Sequence, residues 1–239
     1  MKDSMISLEG AYRFLAAVFH EPPSNVFLTA LAAENLIDEW PLSPAREETQ
    51  IGLRLMGEFC AAWNGSLLPD LEYDFNRLFV GPGQPLAPPW ESYYLSRDHL
   101  LFQEQTLAVR QAYRRFGLEA PHLHSEPDDS LSLELSFMAE LCAKCGSTSG
   151  ASPGQGLDEI IEAQRQFLAS HLLRWAPQCL RQVIESARLD YYRAGAFLGL
   201  GCLFETGAVI GTEVPAPGVP AHWKRKSPND LPQTRGGKD

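Results

Sequence analysis

Basic residues are in short supply in this chain: 20 Lys and Arg stand against 30 Asp and Glu, a formal net charge of −10 over 239 residues. Phosphate backbones are bound by cationic side chains that displace counterions, so this balance argues against a nucleic-acid partner and is compatible with a basic peptide. Cysteine is sparse and unpatterned. Cys60, Cys142, Cys145, Cys179 and Cys202 are odd in number and irregularly spaced, which excludes a disulfide framework. The first nine residues include Lys2, Asp3 and Glu9 and lack the apolar core of a secretory leader, so the expectation is a cytoplasmic protein. No apolar run reaches the ~20 residues that span a bilayer. The glycine-rich run 194–204 meets Glu205 and Thr206 and is expected as a buried helix.

Signatures of catalysis and metal binding are missing too. Cys142-x-x-Cys145 has half the spacing of a zinc site, but no second pair completes it, and Cys142 lies on an apolar helical stripe, so core packing is the simpler reading. His122-x-His124-x-Glu126 lacks an obvious fourth ligand. Gly81-Pro82-Gly83 is not followed by the Gly-Lys-Ser/Thr of a phosphate loop. Arg114-Arg115-Phe116 has the letters of an export signal but falls inside a helical pattern, where it reads as a solvated face. No serine or cysteine sits in a nucleophile signature. The expectation is therefore a protein that is not an enzyme and that holds no metal or cofactor.

What is present is helical periodicity. Leu8, Ala11, Tyr12, Leu15, Val18 and Phe19 form one apolar stripe that Pro22-Pro23 ends. Ser43-Pro44 predicts the start of a second helix through Ile51, Leu55, Phe59 and Trp63, and Asp70 predicts the cap of a third carrying Tyr73 to Phe79. Ser96 or Asp98 is expected to open a long helix closed by Gly117, and Ser125 another through Leu131, Leu135, Met138 and Cys142. A helix from Ile160 is expected to end near Trp175-Ala176-Pro177, and a last one to span about 191–211. No alternating run is long enough for a strand. The fold expected is all-α, one domain of about nine helices over 1–213 with a flexible Gly/Ser/Thr/Pro loop at 146–156, followed by a Pro/Gly-rich charged tail over 214–239 expected to be disordered.

Two constellations carry the functional signal. Residues 73–94 read YDFNRLFVGPGQPLAPPWESYY: a short helical pattern runs into Gly81-Pro82-Gly83, and a proline-rich bend then delivers Trp90-Glu91-Ser92-Tyr93-Tyr94. The prolines stiffen an aromatic wall that can hydrogen-bond. The second is Glu126-Pro127-Asp128-Asp129-Ser130, followed by Glu134-Leu135. Acids at a helix start oppose the dipole and cap free amides, worth ~0.3–1 kcal/mol each. They can also accept guanidinium groups bidentately.

Together these segments resemble the TorD/DmsD family of molybdoenzyme-specific chaperones, the redox enzyme maturation proteins. The resemblance rests on Leu78-Phe79-Val80-Gly81-Pro82, on Pro88-Pro89-Trp90-Glu91-Ser92, on the Glu126–Ser130 segment with Glu134-Leu135, and on His171-Leu172-Leu173-Arg174-Trp175-Ala176-Pro177. One departure is Ser130, where the family commonly has histidine. The resemblance implies a cytoplasmic chaperone that binds the twin-arginine leader, the apo form, or both, of a molybdopterin oxidoreductase catalytic subunit. It implies holding that subunit until its cofactor is inserted, which also delays export. Some members are linked to guanine nucleotides and to domain-swapped homodimers, and a small helical GTP-binding or hydrolysing enzyme is the alternative reading. A leader that is basic and then apolar calls for carboxylates beside an apolar groove. The groove so assigned comprises Phe75, Leu78, Phe79, Pro89, Trp90, Ser92 and Tyr93 with Pro127 and Ser130, and Asp129 with Glu126 or Asp128 is expected to receive arginine.

Overall fold

Apolar residues at spacings of three and four close into helices throughout the computed structural model, which describes residues 1–34, 37–121, 126–146 and 156–214. The α-helices are α1 (Lys2–His20), α2 (Asn25–Ala33), α3 (Glu47–Ala62), α4 (Leu68–Phe75), α5 (Glu91–Leu95), α6 (Glu104–Arg115), α7 (Leu131–Gly146), α8 (Leu157–Phe167), α9 (Leu173–Ser186) and α10 (Asp190–Ile210). A π-helical turn, Asn76–Val80, prolongs α4, and another, Leu168–Leu172, joins α8 to α9 without a break. The described residues thus form nine continuous helical rods and no strand, as the periodicity predicts. The proposed loop at 146–156 and tail after Val214 fall almost wholly outside the described residues, as do His122, His124 and Ser125; the helix expected from Ser125 begins only at Leu131, because residues 126–130 form a turn and the bridge to Trp90.

Helix α10 is the axis of the fold. It packs against α1, α3, α8 and α9, and α1 also runs along α7. By length and composition α10 could cross a membrane, but 78% of its apolar window is buried inside the protein. Small residues permit this burial. A Cβ on Gly195 would meet Val18 Cγ1 at 2.8 Å, so the α1–α10 approach needs glycine there. Leu8, Tyr12, Leu15, Trp175, Tyr191, Tyr192 and Phe197 fill one continuous core around the axis.

Several helix boundaries differ from the pattern-based ones. Helix α3 begins at Glu47, not at Ser43-Pro44; Gln50 Nε2 donates to Pro44 O at 2.8 Å and holds the preceding loop beside the first turn. Helix α4 begins at Leu68 with proline in its first turn, so Asp70 is inside the helix rather than its cap. The segment 96–103 is irregular. Ser96 Oγ accepts from Leu100 N at 2.9 Å, and His99 and Phe102 take positive φ of 54° and 58°, so side-chain bonding displaces the helix start to Glu104. Pro177 lies inside α9, which continues to Ser186. The π turn just before Leu173 widens the helix near the carbonyl that the proline ring would crowd.

Asp74, 1% exposed, is the polar pin between α4 and α10. Its Oδ1 accepts from Arg77 Nη2 at 2.6 Å, and its Oδ2 accepts from the amides of Arg188 and Leu189 at 2.8 and 3.0 Å, immediately before α10. Asp74→Ala strands three donors, two of them backbone amides, and should lower unfolding free energy by about 3 kcal/mol. Chemical denaturation checks this. An unchanged midpoint would show that the donors find other partners.

Candidate functional site

The π turn after α4 sets one side of the site. Gly81 ends it at φ 119°, and its amide donates to Asn76 O at 2.7 Å. A Cβ at Gly81 would lie 2.8 Å from Gly83 O, so only glycine makes this reversal. The loop then folds back on the turn: Leu86 N donates to Arg77 O at 3.2 Å and Ala87 N to Leu78 O at 2.8 Å. Pro88 and Pro89 are buried, and Trp90 emerges half-buried.

At Trp90 the chain meets the segment before α7. Trp90 and Ser130 form an isolated antiparallel bridge, in which Glu91 N donates to Asp129 O at 2.9 Å and Leu131 N donates to Pro89 O at 2.8 Å. Asp129 reinforces it: its Oδ2 accepts from Ser92 N at 2.6 Å and its Oδ1 from Thr106 Oγ1 at 2.7 Å. Thus the two sequence constellations form one clasp. Beside it an open groove of about 440 Å³ is lined by Phe75, Phe79, Pro89, Trp90, Glu126, Pro127 and Ser130.

Five of the expected contacts lie elsewhere. Asp128 and Asp129 are both 0% exposed. Asp128 is paired with Arg110, whose Nη2 donates to Oδ2 at 2.6 Å, and Asp129 is saturated by Ser92 and Thr106. Both expectations of an incoming arginine are therefore corrected: these carboxylates are spent on building the clasp, and Asp129 serves the start of α5 rather than that of α7. Leu78 is 0% exposed and faces the core, because the π turn rotates it inward. Ser92 is likewise 0% exposed. Tyr93 is outside the groove, stacked on His99 with centroids 4.6 Å apart and hydrogen-bonded to Gln84.

The groove also includes residues that were not among the expected contacts: Phe19, His20 and Glu21 at the end of α1, the 58%-exposed Val80, and Leu133 of α7. Glu21 and Glu126 are its exposed carboxylates. Ser130, in the position where the resemblance expects histidine, accepts weakly from Leu133 N at 3.4 Å and acts as a helix cap.

The other chemically suggestive residues have structural roles. Gln164 Nε2 lies 3.6 Å from Cys142 Sγ and 3.8 Å from Cys145 Sγ, and burial pushes the Cys145 thiol up to about 11, so the pair sits as neutral thiols in the core. Arg114 and Arg115 are exposed and paired with Glu119 and Glu159. Behind Trp90, His171 Nδ1 lies 2.8 Å from Glu91 Oε2, and Trp175 Nε1 donates to Glu134 Oε2 at 3.2 Å. The third motif, His171–Pro177, is therefore the backing of the clasp.

Comparison with known proteins finds relatives of this chain. The family described as nitrate reductase delta subunit matches residues 45–181, more than half of the chain and inclusive of the clasp. The Tat proofreading chaperone DmsD of Salmonella typhi is 28% identical over 182 residues, covering 76% of this chain and 80% of its own length. A probable Tat proofreading chaperone DmsD of Haemophilus influenzae is 25% identical over 214 residues, covering 88% and 94%. The chaperone protein TorD of Vibrio cholerae (El Tor Inaba N16961) is 27% identical over 131 residues, covering 55% and 58%.

The division between buried and exposed acids is testable by stability alone. Asp129→Ala leaves the Ser92 amide and Thr106 hydroxyl without their acceptor and should cost about 2 kcal/mol. Glu126→Ala should change stability by less than about 0.5 kcal/mol. Equal effects in thermal unfolding would contradict the assignment.

Proposed function

The chain belongs to the nitrate reductase delta subunit family, the TorD/DmsD chaperones, and from that membership we propose that its groove binds the twin-arginine leader of a molybdopterin oxidoreductase catalytic subunit. On this reading the chain is a cytoplasmic proofreading chaperone. It holds the client until the cofactor is in place and only then releases it for export. The observation that carries the proposal is the groove, which combines an aromatic and proline-lined wall with two exposed carboxylates, Glu21 and Glu126.

Chemistry matches the leader in both halves. Val80, Trp90 and Leu133 offer apolar surface to the hydrophobic stretch, over a floor made by the buried Phe75, Phe79 and Pro89. Glu21 and Glu126 can accept guanidinium groups, which prefer carboxylates in paired geometry. Burying one large aromatic removes ~150–250 Å² from water, a gross gain of several kcal/mol at ~25 cal/mol/Å². An exposed acid–arginine pair contributes ~0–1 kcal/mol. The apolar wall therefore supplies most of the affinity, and the two acids set register and the preference for arginine. Since the clasp fixes the wall beforehand, little ordering entropy is lost on binding.

Calorimetric titration with a synthetic twin-arginine leader tests the proposal. Trp90→Ala should weaken binding by about 2 kcal/mol, roughly thirty-fold, with helicity and melting temperature nearly unchanged. The double variant Glu21→Gln with Glu126→Gln should weaken it a few-fold and reduce both its salt dependence and its preference for Arg-Arg over Lys-Lys. Wild-type affinity in the Trp90 variant would remove the leader from this groove. Loss of folding in that variant would make Trp90 a packing residue instead.

A further inference from the structure

Two carboxyl groups are buried together behind the groove wall, where no leader would touch them. Glu91 follows Trp90 and begins α5; it is 1% exposed. Glu134 is in the first turn of α7, next to the groove residue Leu133, and is 0% exposed. The Glu91 carboxyl acts directly on that of Glu134 in this buried space. Glu91 Oε2 faces His171 Nδ1 at 2.8 Å, and Glu134 Oε2 accepts from Trp175 Nε1 at 3.2 Å. Glu134 Oε1 is buried with no donor from the surrounding protein. An oxygen in that position is anomalous for a carboxylate and ordinary for a carboxylic acid, whose O–H is itself a donor.

The surroundings favour one proton on this pair. Glu91 faces Glu134 from α5 and Asp129 faces it from the clasp, and burial together with these two charges pushes Glu134 well above the usual carboxylate range. The Trp175 indole opposes that shift from α9, and is outweighed. From α6, Tyr113 is buried and carries no compensating charge, while Arg110 is committed to Asp128. His171, from the π turn, meets Glu91 and not Glu134. Glu91 therefore has a polar partner outside the pair, and Glu134 Oε1 has none.

We propose that Glu134 donates a carboxyl proton to Glu91, and that this shared proton is a tie between α7 and α5 that positions the Trp90 wall for leader binding. Glu91 and Glu134 are positioning residues; neither contacts the leader. With the proton shared in this way, the pair carries one negative charge. Removing the proton puts a second negative charge in the same dry space and drives α5 from α7, the two helices that the clasp also joins. This role rests on the leader-binding reading of the groove, but the shared proton itself does not.

Glutamine at position 134 imitates the protonated acid, since its amide can donate to Glu91 while its carbonyl accepts from Trp175. Infrared spectroscopy of the wild-type protein at neutral pH should show a protonated carboxyl C=O band that Glu134→Gln abolishes. Stability gives an independent measure. A carboxyl that binds its proton more tightly when folded contributes stability fully present below its unfolded value of about 4.5, and this is lost as pH rises through the raised folded value. The melting temperature of the wild type should thus fall relative to Glu134→Gln as pH rises through the neutral and alkaline range. Leader affinity should follow: equal within about twofold at the acid end of the range, where the wild-type proton is held, then declining at alkaline pH in the wild type and staying level in the variant. A band that persists in Glu134→Gln, or melting curves that fall in parallel, overturns the shared proton. If band and melting behave as expected but no peptide binds to either protein, the fault lies with the leader reading. If Glu134→Gln fails to fold, the wild-type band alone decides, and its absence defeats the proposal.

Discussion

The backbone bridge between Trp90 and Ser130 is the constraint on which the rest of the site depends. Only two amide–carbonyl pairs form it, from Glu91 N to Asp129 O and from Leu131 N to Pro89 O. An isolated bridge of this kind gains about 1 kcal/mol per bond and cannot sustain itself in water. Its persistence requires the surroundings to fix both segments independently, and they do. Pro88 and Pro89 restrict one arm, the Asp128–Arg110 pair anchors the other to α6, and Asp129 spans the two through Ser92 and Thr106. Pro89, Trp90, Pro127 and Ser130, the part of the lining that the two motifs supply, take their position from this join.

That arrangement explains how an acidic protein uses its acids. Setting aside the Glu91–Glu134 pair, burial divides Asp74, Asp128, Asp129, Glu21 and Glu126 into two groups with different chemistry. Asp74, Asp128 and Asp129 are withdrawn from water and answered by internal donors, so their energy is spent on geometry. Glu21 and Glu126 stay at the groove surface, where each interaction is weaker but remains available to a ligand. A buried carboxylate with satisfied partners has nothing left to offer an incoming guanidinium, because binding would first have to break bonds of equal strength. Proximity of an acidic motif to a groove is therefore a poor guide to which acid binds; exposure decides.

Much of the fold was legible in the sequence because helical periodicity is local. The stripe from Leu8 to Phe19 and the apolar run of α10 needed no tertiary information, and the motifs around Trp90 and Asp129 pointed to one region. What was not legible depended on distant partners. Asp128 finds Arg110 and Asp129 finds Ser92, 18 and 37 residues away, and no spacing rule links them. Helix starts failed where a side chain outcompeted the pattern, as Ser96 does by binding Leu100. Leu78 faces the core because a π turn, which leaves no mark in the apolar spacing, stands where the pattern implies an ordinary 3.6-residue turn. The end of α1 contributes Phe19, His20 and Glu21 only because α1 packs along α7, a long-range contact with no signature in either segment.

The two π turns have a common consequence. Each adds a residue to a turn, and so rotates the side chains that follow it by roughly 100° relative to those before. After α4 this turns Leu78 onto the core, sets the almost fully buried Phe79 in the floor of the groove and leaves Val80 exposed in it before Gly81 reverses the chain. Between α8 and α9 it brings His171 towards Glu91 while Trp175, four residues on, reaches Glu134. A regular helix through 157–186 would separate those two donors differently and leave one of the buried acids unmet. The irregularities thus supply the register that the clasp needs on both of its sides. They cost helical hydrogen-bond geometry at two places, and in return the wall of the groove is held from the front by the bridge and from behind by the pair of buried carboxyls.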